Sequence, residues 1–482
     1  MMKKSHALYI GGEWRDSLSK ETLETRNPAN QELLAEVPRG KAEDMEVAVT
    51  TARKTFESLE WQEFPVEVRG RILYDIAAKL RRDAEEIAQM ETLDTGKPIS
   101  QGRNDVEASA RYFEYYAGMA DKIFGETIPV RHDILDYTVR EPVGVTAHII
   151  PWNYPLQITS RSTAAAIATG NTVVVKPAED TPLTALKLAE LFAETELPKG
   201  VFNVVTGYGY EAGAALINHP EVNHITFTGS VQTGMAVMEA AAKNIVPVTL
   251  ELGGKSPNIV FEDCDMDNTA DWVVKSVVQN AGQTCSAGSR LLVQKTVKEE
   301  FLQKVKERML AVTLGKGVDD PDLGPVLSEK QYERIEKFMQ TAREEGAQFV
   351  CGGERVSVEG CKDGYYFAPT IIDNVRVDSE VAQEEIFGPV LSVFTFEDEE
   401  EAVKLGNNTQ YGLVTGVWTE NIGRAHRLAK RIRAGQVFIN NYGAGGGVQM
   451  PFGGYKKSGF GREKGLEALR NYTVLKNVAV KM

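Results

Sequence analysis

The sequence predicts an α/β protein with two parallel-sheet domains and a small additional piece of β structure. Three observations carry that prediction. Between residues 143 and 254, short apolar runs alternate with helical stretches: "VGVTAHII" (143–150), "NTVVVKP" (171–177), "VFNVV" (201–205), "HITFTGS" (224–230) and "VTLELGG" (248–254), with "TPLTALKLAELFAET" (181–195) among the intervening helices. Strands that alternate with helices pair in parallel, because each crossover has to pack back onto the sheet. A second series follows residue 256, with helices at 267–282, 297–312 and 328–346 and a strand "RLLVQ" at 290–294. Finally, "DILDYTV" (133–139) and "YTVLKNVAV" (472–480) are β segments outside both series, able to pair with each other or across a subunit boundary.

The first 120 residues read as mainly helical. "AEDMEVAVTTARKTFESL" (42–59) has an acidic first turn, and the stretch 65–96 opens on Pro65 and closes before Gly96, a usual start and stop. Within it Ile72, Leu73, Ile76, Ala77 and Leu80 follow the 3.6-residue period. A domain boundary falls near Gly253 and Gly254.

The chain has 482 residues, 42% of them hydrophobic and 25% charged, enough for two or three cores. A net charge of −14 argues against nucleic-acid and anionic-membrane partners, which require basic patches. No apolar run reaches membrane-spanning length, and the opening "MMKKSHALYIGGEW" is too short for a secretory core, so a cytoplasmic protein is expected. The four cysteines form no C-x-x-C and do not cluster with the six histidines, which argues against a disulfide framework or a zinc site.

Several segments have the composition of a chemical site. "GQTCSAGSR" (282–290) sets Cys285 among small residues that leave a thiol accessible beside open backbone N–H groups. Cys264 sits in the acidic "FEDCDMD", where a thiolate is disfavoured, and Cys351 and Cys361 flank glycine-rich turns, so Cys285 is the preferred nucleophile. "TLELGGKSP" places Glu251 in an apolar strand, where burial raises a carboxylate towards a useful base or hides a structural ion pair. Asn153 in "PWNYP" is either a stiffly held oxyanion donor or an ordinary turn residue. Lys176 and Glu179 follow a buried strand, where ligands bind in open α/β sheets. A carboxylate there accepts ribose hydroxyls and repels a 2′-phosphate, favouring NAD over NADP, unless the pair is a solvated loop. "FTGSVQTG" (227–234) suits a phosphate at a helix N-terminus, or is a plain strand-to-helix turn, and "GYGYEAG" (207–213) misses the dinucleotide fingerprint by one residue. The glycine-rich "GAGGGVQMPFGGYKKSGFGRE" (443–463), with its interleaved aromatics, reads as an ordered loop against a site.

In order and separation these segments resemble the aldehyde dehydrogenase superfamily, specifically its NAD-dependent, non-acylating branch, from "YIGGEW" to "GREKG". The resemblance implies two Rossmann-like α/β domains, a NAD-binding one (1–122 and 143–252) and a catalytic one (253–457). A β oligomerisation bridge (123–142 and 458–482) completes the chain and implies a homodimer or homotetramer. It further implies Cys285 as nucleophile, Glu251 as general base and Asn153 as oxyanion donor. Lys176 and Glu179 would bind the adenosine ribose, Gly229 and Ser230 the pyrophosphate side, and Glu385 in "EEIFGPV" the nicotinamide ribose. Trp152, Gly234, Leu252 and Phe387 would contact the cofactor, and Tyr154, Arg161 and Phe452 would line the substrate channel. The alternatives are a relative that passes the acyl group to coenzyme A, against which Glu251 counts, and a non-catalytic member. Arg161 stands where many relatives carry tryptophan. Its charge argues against a trimethylammonio aldehyde and, with "GAGGG", for a wide channel admitting a large, aromatic or anionic aldehyde, unless Arg161 forms a structural ion pair.

Overall fold

Five of the expected strands make the parallel heart of one sheet. Its order is Gly459–Phe460, Val248–Glu251, His224–Thr228, Val145–Ile149, Thr172–Lys176, Phe202–Val204, Leu8–Ile10 and Glu13–Arg15. The computed structural model describes residues 6–443 and 447–482. Alternation along Thr172–Lys176 shows why both faces are covered: Val173 and Val175 pack with Leu73 and Phe113, whereas Val174 packs with Met45, Ala48 and Val49 on the opposite face. A second sheet, ordered Gln348–Cys351, Thr370–Asp373, Val390–Phe396, Arg290–Gln294, Pro257–Val260, Val414–Trp418 and Gln436–Ile439, is parallel except at its first strand. It has its own core around Ile259, Leu292, Val393 and Trp418.

The N-terminal region departs from expectation. Leu8–Ile10 and Glu13–Arg15 are antiparallel edge strands of the first sheet, and Thr22–Arg26 pairs with Leu33–Pro38 in a separate hairpin. Their brevity hid them within a mostly helical reading. The stretch 65–96 is two helices, Val66–Arg82 and Ala84–Thr95, because Asp83 leaves helical geometry at φ −100° and ψ 18°. Gly96 closes the second at φ 82°.

The two unassigned β segments pair with each other. Thr473–Lys481 runs antiparallel to Ile134–Pro142, from Thr473 opposite Pro142 to Lys481 opposite Ile134, with Thr127–Ile128 on the far edge. Tyr472 anchors the root of this arm. Its carbonyl accepts the Asn171 side-chain amide at 2.9 Å and the Val143 N–H at 3.2 Å, and its hydroxyl meets Thr226 Oγ1 at 2.9 Å. Beneath the ring lie two fully buried histidines from adjacent strands, His148 stacked at 6.0 Å and His224 edge-on at 5.1 Å. His148 Nε2 reaches Thr146 Oγ1 at 2.8 Å and His224 Nε2 reaches Thr249 Oγ1 at 3.2 Å.

Burial holds both imidazoles neutral, pushing His148 down to about 3 and His224 to about 4. An unfolded histidine titrates near about 6.5, so the unfolded chain takes up protons first as pH falls. Stability from this pair is therefore complete above about pH 6.5 and lost progressively below it, at up to about 1.4 kcal/mol per histidine per pH unit. Urea midpoints should drop between neutral and mildly acidic pH, and the His148→Gln, His224→Gln double variant should flatten that decline. An unchanged decline in the double variant would remove the histidines as its cause.

Candidate active site

The first sheet turns the carboxyl ends of its parallel strands towards one junction, and the second turns there the amino ends of Pro257–Val260, Arg290–Gln294 and Val390–Phe396. In the first, the chain order reverses between Val145–Ile149 and His224–Thr228, the position at which open α/β sheets leave a crevice. Trp152 and Asn153 follow one of those strands and Gly229 and Ser230 the other. Val248–Glu251 leads through Gly253 and Gly254 directly into Pro257–Val260 of the second sheet. A Cβ on Gly253 would lie 2.4 Å from Glu385 Oε2, and one on Gly254 would lie 2.2 Å from the Cys285 carbonyl oxygen. Bare backbone is therefore what lets the second domain's groups approach Glu251.

Cys285 follows a tight turn, Gln279–Gly282, in which Asn280, Ala281 and Gly282 all have positive φ. The loop is pinned on several sides. Gln283 Nε2 donates to the Asn280 carbonyl at 3.1 Å, Leu327 N–H donates to Gln283 Oε1 at 2.9 Å, and Tyr442 hydroxyl donates to the Ser286 carbonyl at 2.8 Å. The residue is partly exposed, but its sulfur sits deep. Burial, reinforced by the Glu385 carboxylate, pushes the thiol up to about 12, with Arg161 opposing the shift.

Asn153 is buried, and its Nδ2 donates to the Gln283 carbonyl at 2.9 Å, placing the amide beside the Cys285 loop. Its own carbonyl accepts Asn280 Nδ2 at 2.9 Å and Lys97 Nζ at 3.1 Å. Lys97 is fully buried and also bonds Glu91, at 3.1 Å, and Asp105. Asp105 accepts Gln157 Nε2 at 2.7 Å, and Glu91 accepts the Thr184 hydroxyl at 2.9 Å. Burial disfavours the Lys97 ammonium, yet Asp105 and Glu91 outweigh it and hold the group above its usual range. Tyr154 lies under this ammonium at 4.3 Å and bonds Thr284 Oγ1 at 2.9 Å.

Glu251 is buried, and among the described residues neither carboxylate oxygen has a hydrogen-bond partner. Burial, then the Glu463 carboxylate, raises it well above the usual carboxylate range, against the pull of Arg161, Arg462 and Lys464. Arg161 forms a buried ion pair with Glu463 and lies 5.4 Å from the centre of the Phe452 ring. Arg161 is thus the structural ion pair that the sequence left open, and pairing with Glu463 weakens, without cancelling, the repulsion it would offer a cationic aldehyde. Phe452 is itself buried rather than a free wall, exchanging both backbone hydrogen bonds with Glu463 at 2.6 and 2.7 Å. Of "GAGGG", residues 444–446 lie outside the described part.

A second group of residues lies along the first sheet's rim. Lys176 Nζ donates to Glu179 at 2.7 Å, and Gly209 N–H also bonds Glu179, so "GYGYEAG" is a short π-turn closing over this pair. Ser230 caps the helix Val231–Asn244 through Thr233 N–H at 3.2 Å, and Gly234 leaves room for Leu252, whose Cδ2 would be 2.7 Å from a Cβ there. Trp152 meets the Phe387 ring edge-on at 5.3 Å, and Glu385 Oε1 accepts Gly254 N–H at 2.8 Å. Burial pushes Glu385 up to about 7.

The sequence profile of the aldehyde dehydrogenase family matches residues 14–478. The chain belongs to the aldehyde dehydrogenase family. It is 44% identical over 473 residues to an aldehyde dehydrogenase of Aspergillus niger, covering 98% of this chain and 94% of that one. It is 43% identical over 477 residues to a betaine aldehyde dehydrogenase of Bacillus subtilis (strain 168), covering 98% and 97%. The structure of a Bacillus cereus aldehyde dehydrogenase in complex with NAD+ superimposes with a TM-score of 0.96 at 43% identity, over 99% of this chain and 97% of that one.

In this aldehyde dehydrogenase the sequence reading missed the groups behind the chemistry. Lys97, Glu91 and Asp105 stood in the first 120 residues, read only as mainly helical. The signal was there in Glu91 and Asp105, each on a helix face that also buries Ile87, Ala88 and Met90 or Val106 and Ala110. Glu463 ended, and Lys464 followed, a glycine-rich segment (443–463) read for its aromatics. Among the described residues no group of three metal-ligating side chains converges, and no helix is long and apolar enough to cross a membrane.

A thiol pushed up to about 12 is mostly protonated at neutral pH in the enzyme alone. Alkylation of Cys285 by iodoacetamide, followed by peptide mass spectrometry, should therefore accelerate about tenfold per pH unit from pH 7 to 9. A plateau below pH 8 would contradict the burial account.

Proposed function

We propose that this enzyme oxidises an aldehyde to the carboxylic acid with NAD, through a thioester on Cys285. The observation that carries this reading is the convergence of Cys285, Asn153 and Glu251, from two sheets, on one junction whose backbone is bare at Gly253 and Gly254. Relatives with this fold include an enzyme with bound NAD+.

The rim residues fit a dinucleotide. Lys176 and Glu179 offer a donor and an acceptor to a ribose diol, Ser230 heads a helix whose N-terminus suits a pyrophosphate, and buried Glu385 suits the second ribose. Trp152, Gly229, Gly234, Leu252 and Phe387 would form the walls. NAD, when bound, would supply the hydride acceptor and a positive charge to the site. The Cys285 thiolate attacks the carbonyl carbon, forming the S–C bond. The resulting alkoxide is held by Asn153 Nδ2–H and the Cys285 backbone N–H. Loss of hydride leaves a thioester, and Glu251 takes a proton from the water that cleaves it, returning the sulfur as leaving group. The buried Glu251 serves as base only once ionised, which its raised pKa delays.

On this reading residues 1–122 and 143–252 bind the cofactor and 253–457 carry the chemistry. The arm built on 123–142 and 458–482, with Leu135, Leu475 and Val480 exposed, serves association into a homodimer or homotetramer.

NADH formation from a panel of aldehydes, measured on wild type and three variants, tests the mechanism. Cys285→Ala should abolish turnover, and Asn153→Ala should lower kcat roughly 10²–10³-fold. Glu251→Gln should give a burst near one equivalent followed by slow turnover. Persistent turnover in Cys285→Ala would overturn the reading, whereas wild-type turnover that requires coenzyme A would move it to the acylating reaction.

A further inference from the structure

An ammonium has three hydrogens, and that of Lys97 meets three acceptors: Glu91 Oε1 at 3.1 Å, Asp105 Oδ2, and the Asn153 carbonyl at 3.1 Å. The side chains of Lys97 and Glu91 are fully buried, and that of Asp105 nearly so. Burying such a set is costly, and apolar side chains of similar volume often serve stability as well or better. What the charges add is fixed geometry, and the geometry they fix at one corner is that of the Asn153 peptide.

The clamp is rigid on its own side. Gly96 ends the helix Ala84–Thr95 at φ 82°, Pro98 caps the helix Ile99–Ala117, and a Cβ on Gly317 would lie 2.3 Å from the Lys97 carbonyl oxygen. Tyr154, the residue after Asn153, lies under the same ammonium at 4.3 Å and bonds Thr284 Oγ1 at 2.9 Å. On the far side, the Asn153 carbonyl also accepts Asn280 Nδ2 at 2.9 Å, and Asn280 N–H donates to Gln101 Oε1 at 3.0 Å. Asn280 sits at φ 50° in the turn that leads to Cys285. One carbonyl oxygen thus ties the loop of Asn153 to the turn before the nucleophile. The Asn153 amide has two hydrogens. The bond to the Gln283 carbonyl at 2.9 Å uses one, and the second is the one an oxyanion would take.

We propose that Lys97 is a positioning residue for the alkoxide formed on Cys285: by gripping the Asn153 carbonyl it aims the side-chain amide, and it acts through Asn153 rather than on substrate. The inference rests on the oxyanion role proposed for Asn153 above and adds the group that sets its aim. A donor displaced by about 1 Å can cost roughly 10² in rate, so a clamp that prevents such a shift is worth its burial.

A double-mutant cycle on the rate of the first NADH turnover separates this role from a merely structural one. Lys97→Met should slow that step roughly ten- to a hundredfold, with far smaller changes in the KM of NAD and aldehyde. Asn153→Ala should slow it roughly 10²–10³-fold. The Lys97→Met, Asn153→Ala double variant should be no slower than Asn153→Ala alone, because no amide is left to aim. Lost stability by itself would lower Tm in both backgrounds without that coupling in rate. Losses that multiply in the double variant, or a wild-type first turnover in Lys97→Met, overturn the inference and leave the oxidation intact. A wild-type first turnover in Asn153→Ala, or no turnover of any aldehyde by the wild type, overturns the reading beneath it instead. If Lys97→Met does not fold, Asp105→Asn loosens the clamp without emptying it. A slower first turnover in that variant, with no further loss when Asn153→Ala is added, supports the inference, and an unchanged or independent effect overturns it.

Discussion

The constraint on which the site depends is steric. At Gly253 and Gly254 the first sheet hands over to the second, and a single Cβ at either position would collide with Glu385 or with the Cys285 carbonyl. Cores on either side of this junction are separate, with Phe227 and Leu250 on one side and Ile259 and Leu292 on the other. The two sheets thus pack on their own hydrophobic surfaces, and bare backbone at the hand-over lets their chemical groups approach, with Asn153 hydrogen-bonded across to the Gln283 carbonyl. Glu251 ends a strand of the first core, and Cys285 leads into a strand of the second. Neither domain alone has both.

Around that junction the protein buries charge in matched sets. Lys97 answers Glu91 and Asp105, and Arg161 answers Glu463. Burying such groups is costly, and breaking one partnership leaves a charge that costs more still. What these pairs provide is position. Lys97 holds the Asn153 carbonyl, so the amide that faces the Cys285 loop is fixed from behind by an ammonium that has no other place to go. The groups that remain, Cys285, Glu251 and Glu385, are all driven towards their neutral forms by the same burial. A positive charge arriving beside the buried sulfur therefore acts there more strongly than it would in water.

Much of this was legible in the chain. Buried parallel strands announced themselves as runs such as "TVVVK", because a strand covered on both faces needs apolar residues at every position, and in the first sheet the residues after each strand were the right place to look for a site, whereas Cys285 and Glu385 precede their strands. The edge strands at Leu8–Ile10 and Glu13–Arg15 were not legible, since three residues carry no periodicity. Asp83 broke a helix without proline or glycine, through a change of ψ that composition does not encode. Cys285, Asn153 and Glu251 could be singled out because each is chemically odd in its own segment. Lys97 could not, because its meaning lies in Glu91, Asp105 and the Asn153 carbonyl, which only the folded chain assembles.

Arg161 shows where local reading fails for a physical reason. On its helix it looks like a positive charge aimed at substrate, and the helix alone supports that view, since Tyr154 and Ile158 share its face. The fold brings Glu463 against it from a segment near the C-terminus, and the field of an ion pair falls off far faster than that of a single charge. That segment is also hydrogen-bonded to Phe452 and is continuous with the arm rooted at Tyr472. One stretch of chain thus sets the electrostatics beside Glu251 and leads into the strand that pairs with Ile134–Pro142, which ties the character of the pocket to how the C-terminus is seated.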